Sequence, residues 1–489
     1  QLGTPDMRLA KQILFHARLN ETAPAIATSA GVASYGVLVR MVDAAVAPLE
    51  LLDLPRGTPV FLDIRNPLHH VVMMLALALM GLPSASVSSA FSVERAGVLP
   101  GVLLTDRDGM ALGTIPVRQI DERWFAHDPK SAIDYARLDR LPGFAAPDDI
   151  VRYVYSSGTT GFPKCVALTQ KVLEERTFHL LLGTVQNRGG AGLLMLPFST
   201  IASVQGIFLA LPVGMLLCLP SGTAEGLEMA RLFHVSVIAL AVMQVRAVLA
   251  ELGDRAPPPE LKMVLVAGAK IPLPLLNETR ARLCSNVVTE YGSTEMGSIT
   301  VGTPALLSRQ EGAVGYPRPW VELEVVDDAG HPVPPGQDGI VRARSTELAF
   351  YITDGGDRLE TIENGWFYPG DVGRILEDGL VVIAGRTSEV INRGGVIVAP
   401  EFVEEVLRLD PLVKDVAVVG VPVGGIDEIW AAIVSEQPFD VQAMAQRAHA
   451  RLNEKTPNRI LRVEQIPRNE AGKVTRNVLR EQLLARLRP

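Results

Sequence analysis

Apolar residues in the first two-thirds of this chain fall into short unbroken blocks rather than into alternation with polar ones. "GTPVFLDI" from Gly57 is such a block, and it predicts a strand buried on both faces. The run "VVMMLALALMGL" from Val71 follows it and predicts a core helix. "VSVIALA" from Val235 and "KMVLVAGA" from Lys262 predict two more buried strands, with 245–252 helical between them. "IFLALPVGMLLCL" from Ile207 is a further core block; it and the run from Val71 are shorter than the ~20 residues that span a membrane. Strands alternating with helices predict an α/β fold with a largely parallel sheet.

Near residue 312 the pattern changes. "VELEVVDDAGHPVPPGQDGIVRAR" holds two strand-like runs around a Gly/Pro-rich turn, and "GRILEDGLVVIAGR" reads as a hairpin turning at Asp378-Gly379. A β-rich subdomain is expected here. After Gly385-Arg386 the pattern becomes small α+β, which places a boundary at about 385, with domains of 1–384 and 385–489. Pro400 suits the first turn of a helix whose apolar stripe is Phe402, Val403, Val406 and Leu407. The last helix is expected to bury Val478, Leu479, Leu483 and Leu487.

Composition narrows this picture in two ways. With 489 residues, 48% hydrophobic and 20% charged, the chain can bury a large core. A net charge of −8 argues against nucleic acid as the main partner, although a nucleotide needs only a local site. Cys165, Cys218 and Cys284 are an odd, sparse set without metal-ligand spacing, the usage expected of a reduced, cytoplasmic chain.

Four stretches carry candidate chemistry. "YVYSSGTTGFPKCVAL" from Tyr153 sets Ser156, Ser157, Gly158, Thr159, Thr160 and Gly161 between two strand-like runs and adds Lys164. Such a loop can turn N–H groups, hydroxyls and one cation towards phosphates, or it can be an ordinary polar hairpin. "TEYGSTEMG" from Thr289 offers Tyr291 as an aromatic face and Glu295 as a hard oxygen ligand, or a turn with a surface Glu. "GWFYPGDVGRILEDGLVVIAGR" presents Asp371 after a Pro-Gly turn, with Arg386 at the proposed boundary. "PRNEAGKVTR" places Lys473 in a turn-rich loop before the last helix, where an isolated Lys would be a solvated charge.

The order and spacing of all four resemble the adenylate-forming superfamily, which includes acyl- and aryl-CoA synthetases, adenylation domains and luciferases. "LVAGAKIPLPLL", "EGAVGYPRP" and "GRTSEVINRGGVIVAPEFVEEVL" extend the resemblance over nearly the whole chain. It implies a large N-terminal domain of two parallel-type α/β subdomains plus a β-rich one, and a small mobile α+β C-terminal domain. It also implies ATP-dependent conversion of a carboxylic acid to an acyl-AMP, then transfer to CoA or to the pantetheine of a carrier protein. Carried over residue by residue, the resemblance makes Lys473 the catalytic cation, Glu295 the Mg²⁺ ligand and Thr294 a contact to the α-phosphate. The loop from Ser156 to Lys164 would grip the β- and γ-phosphates. Gly268, Ala269 and Tyr291 would line the adenine, Gly292 and Ser293 would also bind the cofactor, Asp371 and Arg386 would take the ribose, and Gly394-Gly395 would line a pantetheine channel.

Departures from the superfamily pattern are Cys165 for Gly, Pro369 for Thr, Ser388 for the charged hinge residue, and the absence of His from "LPFSTIASVQG". Amino-acid substrates are disfavoured, because Ser199 rather than Asp follows Phe198 and a buried ammonium would lack its counter-charge. Ile201, Ala202, Val204, Met243, Met296 and Ile299 are expected to wall an apolar pocket for a fatty or aryl chain. Arg246 could instead pair with a second carboxylate, or simply lie on a helix surface. No carrier domain of its own is expected, and "GGIDEI" at Gly424 lacks a Ser to modify. A non-catalytic relative that binds nucleotide or acyl groups is the remaining alternative.

Overall fold

A computed structural model of the chain describes residues 9–486 except 88–97, 99, 110–114, 158–162, 184–189, 311, 353–357, 360–361, 364, 388–390, 394–395, 399, 424–425 and 469–473. It divides into two compact units. One comprises Gln1–Gly158, Phe162–Ile299 and Ser345–Thr361, and the other is built chiefly from Thr300–Arg344 and Ile362–Pro489.

The first unit is α/β, as expected, and holds two largely parallel sheets. Its named strands are β1 (Pro24–Thr28), β2 (Val60–Asp63), β3 (Ser84–Ser86), β4 (Val102–Thr105), β5 (Ile150–Ser157), β6 (Pro163–Thr169), β7 (Ala191–Leu194), β8 (Leu216–Cys218), β9 (Val235–Ala241), β10 (Met263–Ala267) and β11 (Val287–Ser293). One sheet runs β6-β5-β3-β2-β4; β5, β3, β2 and β4 are parallel and β6 is antiparallel to β5. The other includes the run β1-β8-β7-β9-β10-β11, whose members are mutually parallel, with the antiparallel strand Gly31–Ser34 beside β1. The buried strands predicted at 57–64, 235–241 and 262–269 are β2, β9 and β10.

The expected helix after β2 is α1 (Pro67–Met80), and its ends follow from sequence. The Asn66 side chain accepts the N–H groups of Leu68 and His69, Pro67 sits in the first turn, and Gly81 closes the helix at φ +72. His69 to Leu79 is buried without a break, so α1 is a core helix. Each fully buried Leu or Val there contributes roughly 1.5–3 kcal/mol. Three further helices bear on the site: α2 (Gln170–Gly183), α3 (Ile201–Ala210) and α4 (Val242–Leu252).

In the second unit the β-rich expectation is met by β12 (Ala313–Pro317), β13 (Glu322–Val326), β14 (Gly339–Arg344), β15 (Asp371–Ile375) and β16 (Val381–Arg386). β13–β14 and β15–β16 are both antiparallel pairs. At the turn between β15 and β16, Gly379 takes φ +86 and Asp378 Oδ1 accepts the Leu380 N–H. The C-terminal part joins α5 (Pro400–Leu407), β17 (Asp415–Val423), β18 (Ile426–Val434), α6 (Val441–Leu452), β19 (Arg459–Arg462) and α7 (Arg476–Arg486). Alternation along β17 supplies two cores: Val416 and Val418 pack with α5 and α6, while Ala417, Val419 and Val421 pack with Leu479 and Leu483 of α7. Val403 and Leu407 are buried as expected, with Phe402 and Val406 packed beside them. Val478 departs from its expected place: it is 44% exposed, because the buried seam of α7 is the i, i+4 pair Leu479 and Leu483. Leu487 lies outside the described residues.

Candidate active site

Parallel strands bring their carboxyl ends to one edge, and in the β1-to-β11 sheet that edge collects most of the first unit's candidates. The chain passes from β7 to β8 in one direction and then returns past β7 to β9, so its connections reverse between β7 and β9. Crevices at such reversals, beyond the carboxyl ends, are where open α/β sheets bind ligands. Gln244 of α4 ties the two exits together: its Nε2 donates to the Met195 carbonyl at 2.7 Å, and its Oε1 accepts the Ala241 N–H at 2.8 Å. One strand further on, β10 is followed by Gly268, at φ +89, and Ala269, both exposed.

β11 leads into the turn at 294–296. A Cβ on Gly292 would lie 2.0 Å from the Gly297 carbonyl oxygen, so this approach admits only glycine. Tyr291, Ser293 and Thr294 are half-buried, Gly292 is exposed and Glu295 is buried. The Met296 N–H bonds Ser293 Oγ at 3.1 Å.

The turn is fixed from behind by a residue the sequence reading did not single out. Arg176, from the buried side of α2, donates to the Thr294 carbonyl at 3.1 Å, the Glu295 carbonyl at 2.5 Å and the Glu347 carbonyl at 2.8 and 3.1 Å. The Ala349 N–H also reaches the Glu295 carbonyl, at 2.8 Å. Glu347 is buried, its carboxylate is bonded by His179 Nδ1, and burial raises its pKa. The available signal was an Arg on an apolar helical stripe with Val172 and Leu173.

The Ser156–Lys164 loop starts at β5 and ends at β6, in a register that pairs Ser156 with Lys164 and Tyr155 with Cys165. Gly158, Thr159, Thr160 and Gly161 lie outside the described residues, and Lys164 is exposed. Cys165 is buried among Phe61, Tyr153 and Phe350, and burial pushes its thiol up to about 12. Such a thiol is no nucleophile at neutral pH, in keeping with a small residue standing in for Gly.

In the second unit, Asp371 and Arg386 are cross-strand partners and form an ion pair at 3.1 Å. Arg386 also donates to the Pro369 carbonyl at 2.5 Å, and the Thr387 N–H reaches the Gly370 carbonyl at 2.8 Å. Asp371 is buried and Arg386 half-exposed. Lys473, Gly394, Gly395 and Ser388 fall outside the described residues. On either side of 469–473, Arg468 Nη2 donates to both carboxylate oxygens of Asp415 at 2.8 and 2.9 Å, and the Thr475 N–H bonds the Pro467 carbonyl. Arg476 reaches Glu401, Glu404 and the Val418 carbonyl.

The expected pocket wall divides by exposure. Ile201 and Ala202, in the first turn of α3, are half-buried. Val204, Met296 and Ile299 are each 0% exposed and lie in the core. Met243 is 50% exposed at the start of α4, beyond the reversal crevice's Gln244 tie, and Arg246 is exposed on the same helix. Among the described residues no three His, Cys, Asp or Glu side chains cluster to hold a metal, and no helix is long and apolar enough to cross a membrane.

Residues 15–349 match the family described as AMP-binding enzyme. A fatty acid–[acyl-carrier-protein] ligase, ScoC of Streptomyces coeruleorubidus, is 29% identical over 70% of this chain and 69% of its own length. A 2-succinylbenzoate–CoA ligase of Bacillus cereus is 27% identical, covering 87% of this chain and 88% of the relative. In fold, the chain is similar to o-succinylbenzoate CoA synthetase (MenE) from Bacillus subtilis in complex with the acyl-adenylate intermediate OSB-AMP. The TM-score is 0.85 at 22% identity, over 96% of this chain and 97% of that one.

Proposed function

The chain belongs to the AMP-binding enzyme family, and from that premise we propose that it activates a carboxylic acid, fatty or aryl, with ATP. Acyl-AMP forms with release of pyrophosphate, and the acyl group then passes to the thiol of CoA. The observation that carries this reading is the 294–296 turn at the carboxyl edge of the parallel sheet, held in place by buried Arg176 next to the Gly268 loop.

In this reading Ser156 to Lys164 hold the β- and γ-phosphates and Thr294 the α-phosphate. Gly268, Ala269, Tyr291, Gly292 and Ser293 surround the adenine. Asp371 accepts ribose hydroxyls, with Arg386 orienting its carboxylate. Glu295 offers one hard oxygen donor, which suits an Mg²⁺ that takes its other ligands from phosphates and water. When bound, that ion neutralises phosphate charge. Lys473 brings the cation that lets two anions meet as the acyl–phosphate bond forms. Ile201 and Ala202 line the acyl side, while Val204, Met296 and Ile299 support it from the core and Met243 stands at its rim.

We place the mobile catalytic-lysine domain at 385–489; the two clusters that build its core draw every member from 391 onward. Gly394-Gly395 would leave room for a pantetheine arm. All three cysteines are free and buried, which suits the cytoplasm. A second acceptor is favoured by one relative: ScoC is a ligase for an acyl-carrier protein, so a separate carrier can replace CoA.

The test is carboxylate-dependent ATP–pyrophosphate exchange across fatty, aryl and dicarboxylic acids, followed by thioester detection with CoA and with a pantetheinylated carrier. Exchange is expected with at least one acid and should fall by about a hundredfold or more in Lys473→Ala. Failure with every acid overturns the activity, and exchange with thioester only on the carrier selects the second acceptor.

A further inference from the structure

Arg176 presents a geometry that core packing alone does not require. One guanidinium, 1% exposed, gathers the carbonyls of Thr294, Glu295 and Glu347, from segments 118 to 171 residues away in sequence. Two of these carbonyls are consecutive. Fixing both orients the peptide planes on either side of the Glu295 Cα, and through them the direction its side chain leaves the backbone. A planar fork with five donors can serve three acceptors at once, whereas a single ammonium cannot keep the same directions.

The charge is provided for as well. Glu347 sits beside the guanidinium, since Arg176 Nε and Glu347 Oε2 each lie 3.2 Å from where a Cβ on Gly297 would stand, and His179, three residues along α2, holds its carboxylate. A buried cation with a buried counter-ion and three aligned carbonyls is costly to assemble, and it stands directly behind the turn that bears the nucleotide-side residues.

We infer that Arg176 is the positioning residue for Thr294 and Glu295, with Glu347 as its counter-charge and His179 as the brace on Glu347. The assignment rests on the proposed function, because it takes those two residues as the phosphate and metal contacts. Arg176 touches no reacting atom; it acts by presetting where the Glu295 carboxylate and the Thr294 hydroxyl stand. The network therefore governs how well ATP and its divalent ion are held, and not which acid is chosen.

The experiment compares wild type with Arg176→Lys, Glu347→Gln and His179→Gln in the full chain. The measurements are the unfolding midpoint, binding of Mn²⁺ with ATP by electron paramagnetic resonance, and the kcat of exchange with the KM for ATP and for the acid. In Arg176→Lys, Mn²⁺–ATP affinity should fall about tenfold to a hundredfold, as for outer partners of metal ligands, with a matching rise in KM for ATP. The KM for the acid should stay within about twofold, since an acyl wall is not involved. Glu347→Gln, which keeps the carbonyl and the side-chain volume, should lose about three- to tenfold in the same direction. It carries the test if Arg176→Lys does not fold. His179→Gln should follow Glu347→Gln with a smaller loss. If Arg176→Lys and Glu347→Gln melt early yet bind Mn²⁺–ATP like wild type, the network is only a core tie and the inference falls alone. Wild type that binds no Mn²⁺–ATP overturns the proposed function, and the inference with it.

Discussion

Arg152 and Arg176 are both about 1% exposed and lie in the same unit, yet their surroundings differ in kind. Arg152, on β5, donates to the hydroxyls of Ser84, at 2.8 Å, and Ser86. Its Nε has no acceptor among the described residues. Ser86 meets His70 Nε2 at 2.6 Å, and the His70 ring stacks on Phe198 at 4.4 Å. Arg176 instead has three carbonyls and a carboxylate close by. Burial lowers both guanidinium pKa values, to about 9 and about 10, so each stays protonated at neutral pH. Hydroxyls are neutral and can rotate to other acceptors, whereas backbone carbonyls and a buried carboxylate cannot. Arg152 is thus a cation its neighbours can do without, and Arg176 is one on which a turn depends.

The sharpest way to break this comparison is to remove both charges. Arg176→Met should lower unfolding free energy by about 3–5 kcal/mol in chemical denaturation, because the Thr294, Glu295 and Glu347 carbonyls lose their buried donor and Glu347 loses the cation beside it. Arg152→Met should change it by only about 1–2 kcal/mol, the scale of hydroxyls that must find new partners. Equal losses would erase the distinction.

A finer test uses pH. Burial, reinforced by Arg152, lowers the His70 pKa from an ordinary 6.5 to about 3. The folded pKa lies below the unfolded one, so unfolded chains take up the proton first as pH falls. The stability His70 contributes is complete above pH 6.5 and is lost as pH drops towards 3. His70→Phe, which keeps an aromatic ring against Phe198, should flatten this limb when urea midpoints are followed between those values. In Arg152→Met the limb should shrink, because the repelling cation is gone; in Arg176→Met it should keep its shape. A wild-type midpoint that does not fall across this range would remove the basis for assigning the limb to His70.

Sequence made the local parts legible because strands, caps and turns are set by near neighbours. Asn66-Pro67 and Gly81 bound α1, and Asp378-Gly379 turns the β15–β16 hairpin, bringing Asp371 opposite Arg386. The supporting network was not legible. Arg176 finds its acceptors more than a hundred residues away, and nothing near it distinguishes it from a solvated Arg except its place on a buried stripe. The same limit explains Arg152, whose apolar neighbours Val151 and Val154 announced a strand while Ser84 and Ser86 lay on another. Exposure on a helix depends on the phase of its stripe, which spacing alone leaves loose: Val478 turns outward while Leu479 and Leu483 face the core.

The two-sided sheet of β17, β18 and β19 has a mechanical meaning. A plate clamped by α5 and α6 on one face and by α7 on the other has no slack layer in which to shear. Arg476, at the head of α7, bolts it to Glu404 of α5 through the plate's edge at Val418. Thrust delivered to either face is transmitted whole to the other, and with it to Arg468, which Asp415 of β17 holds.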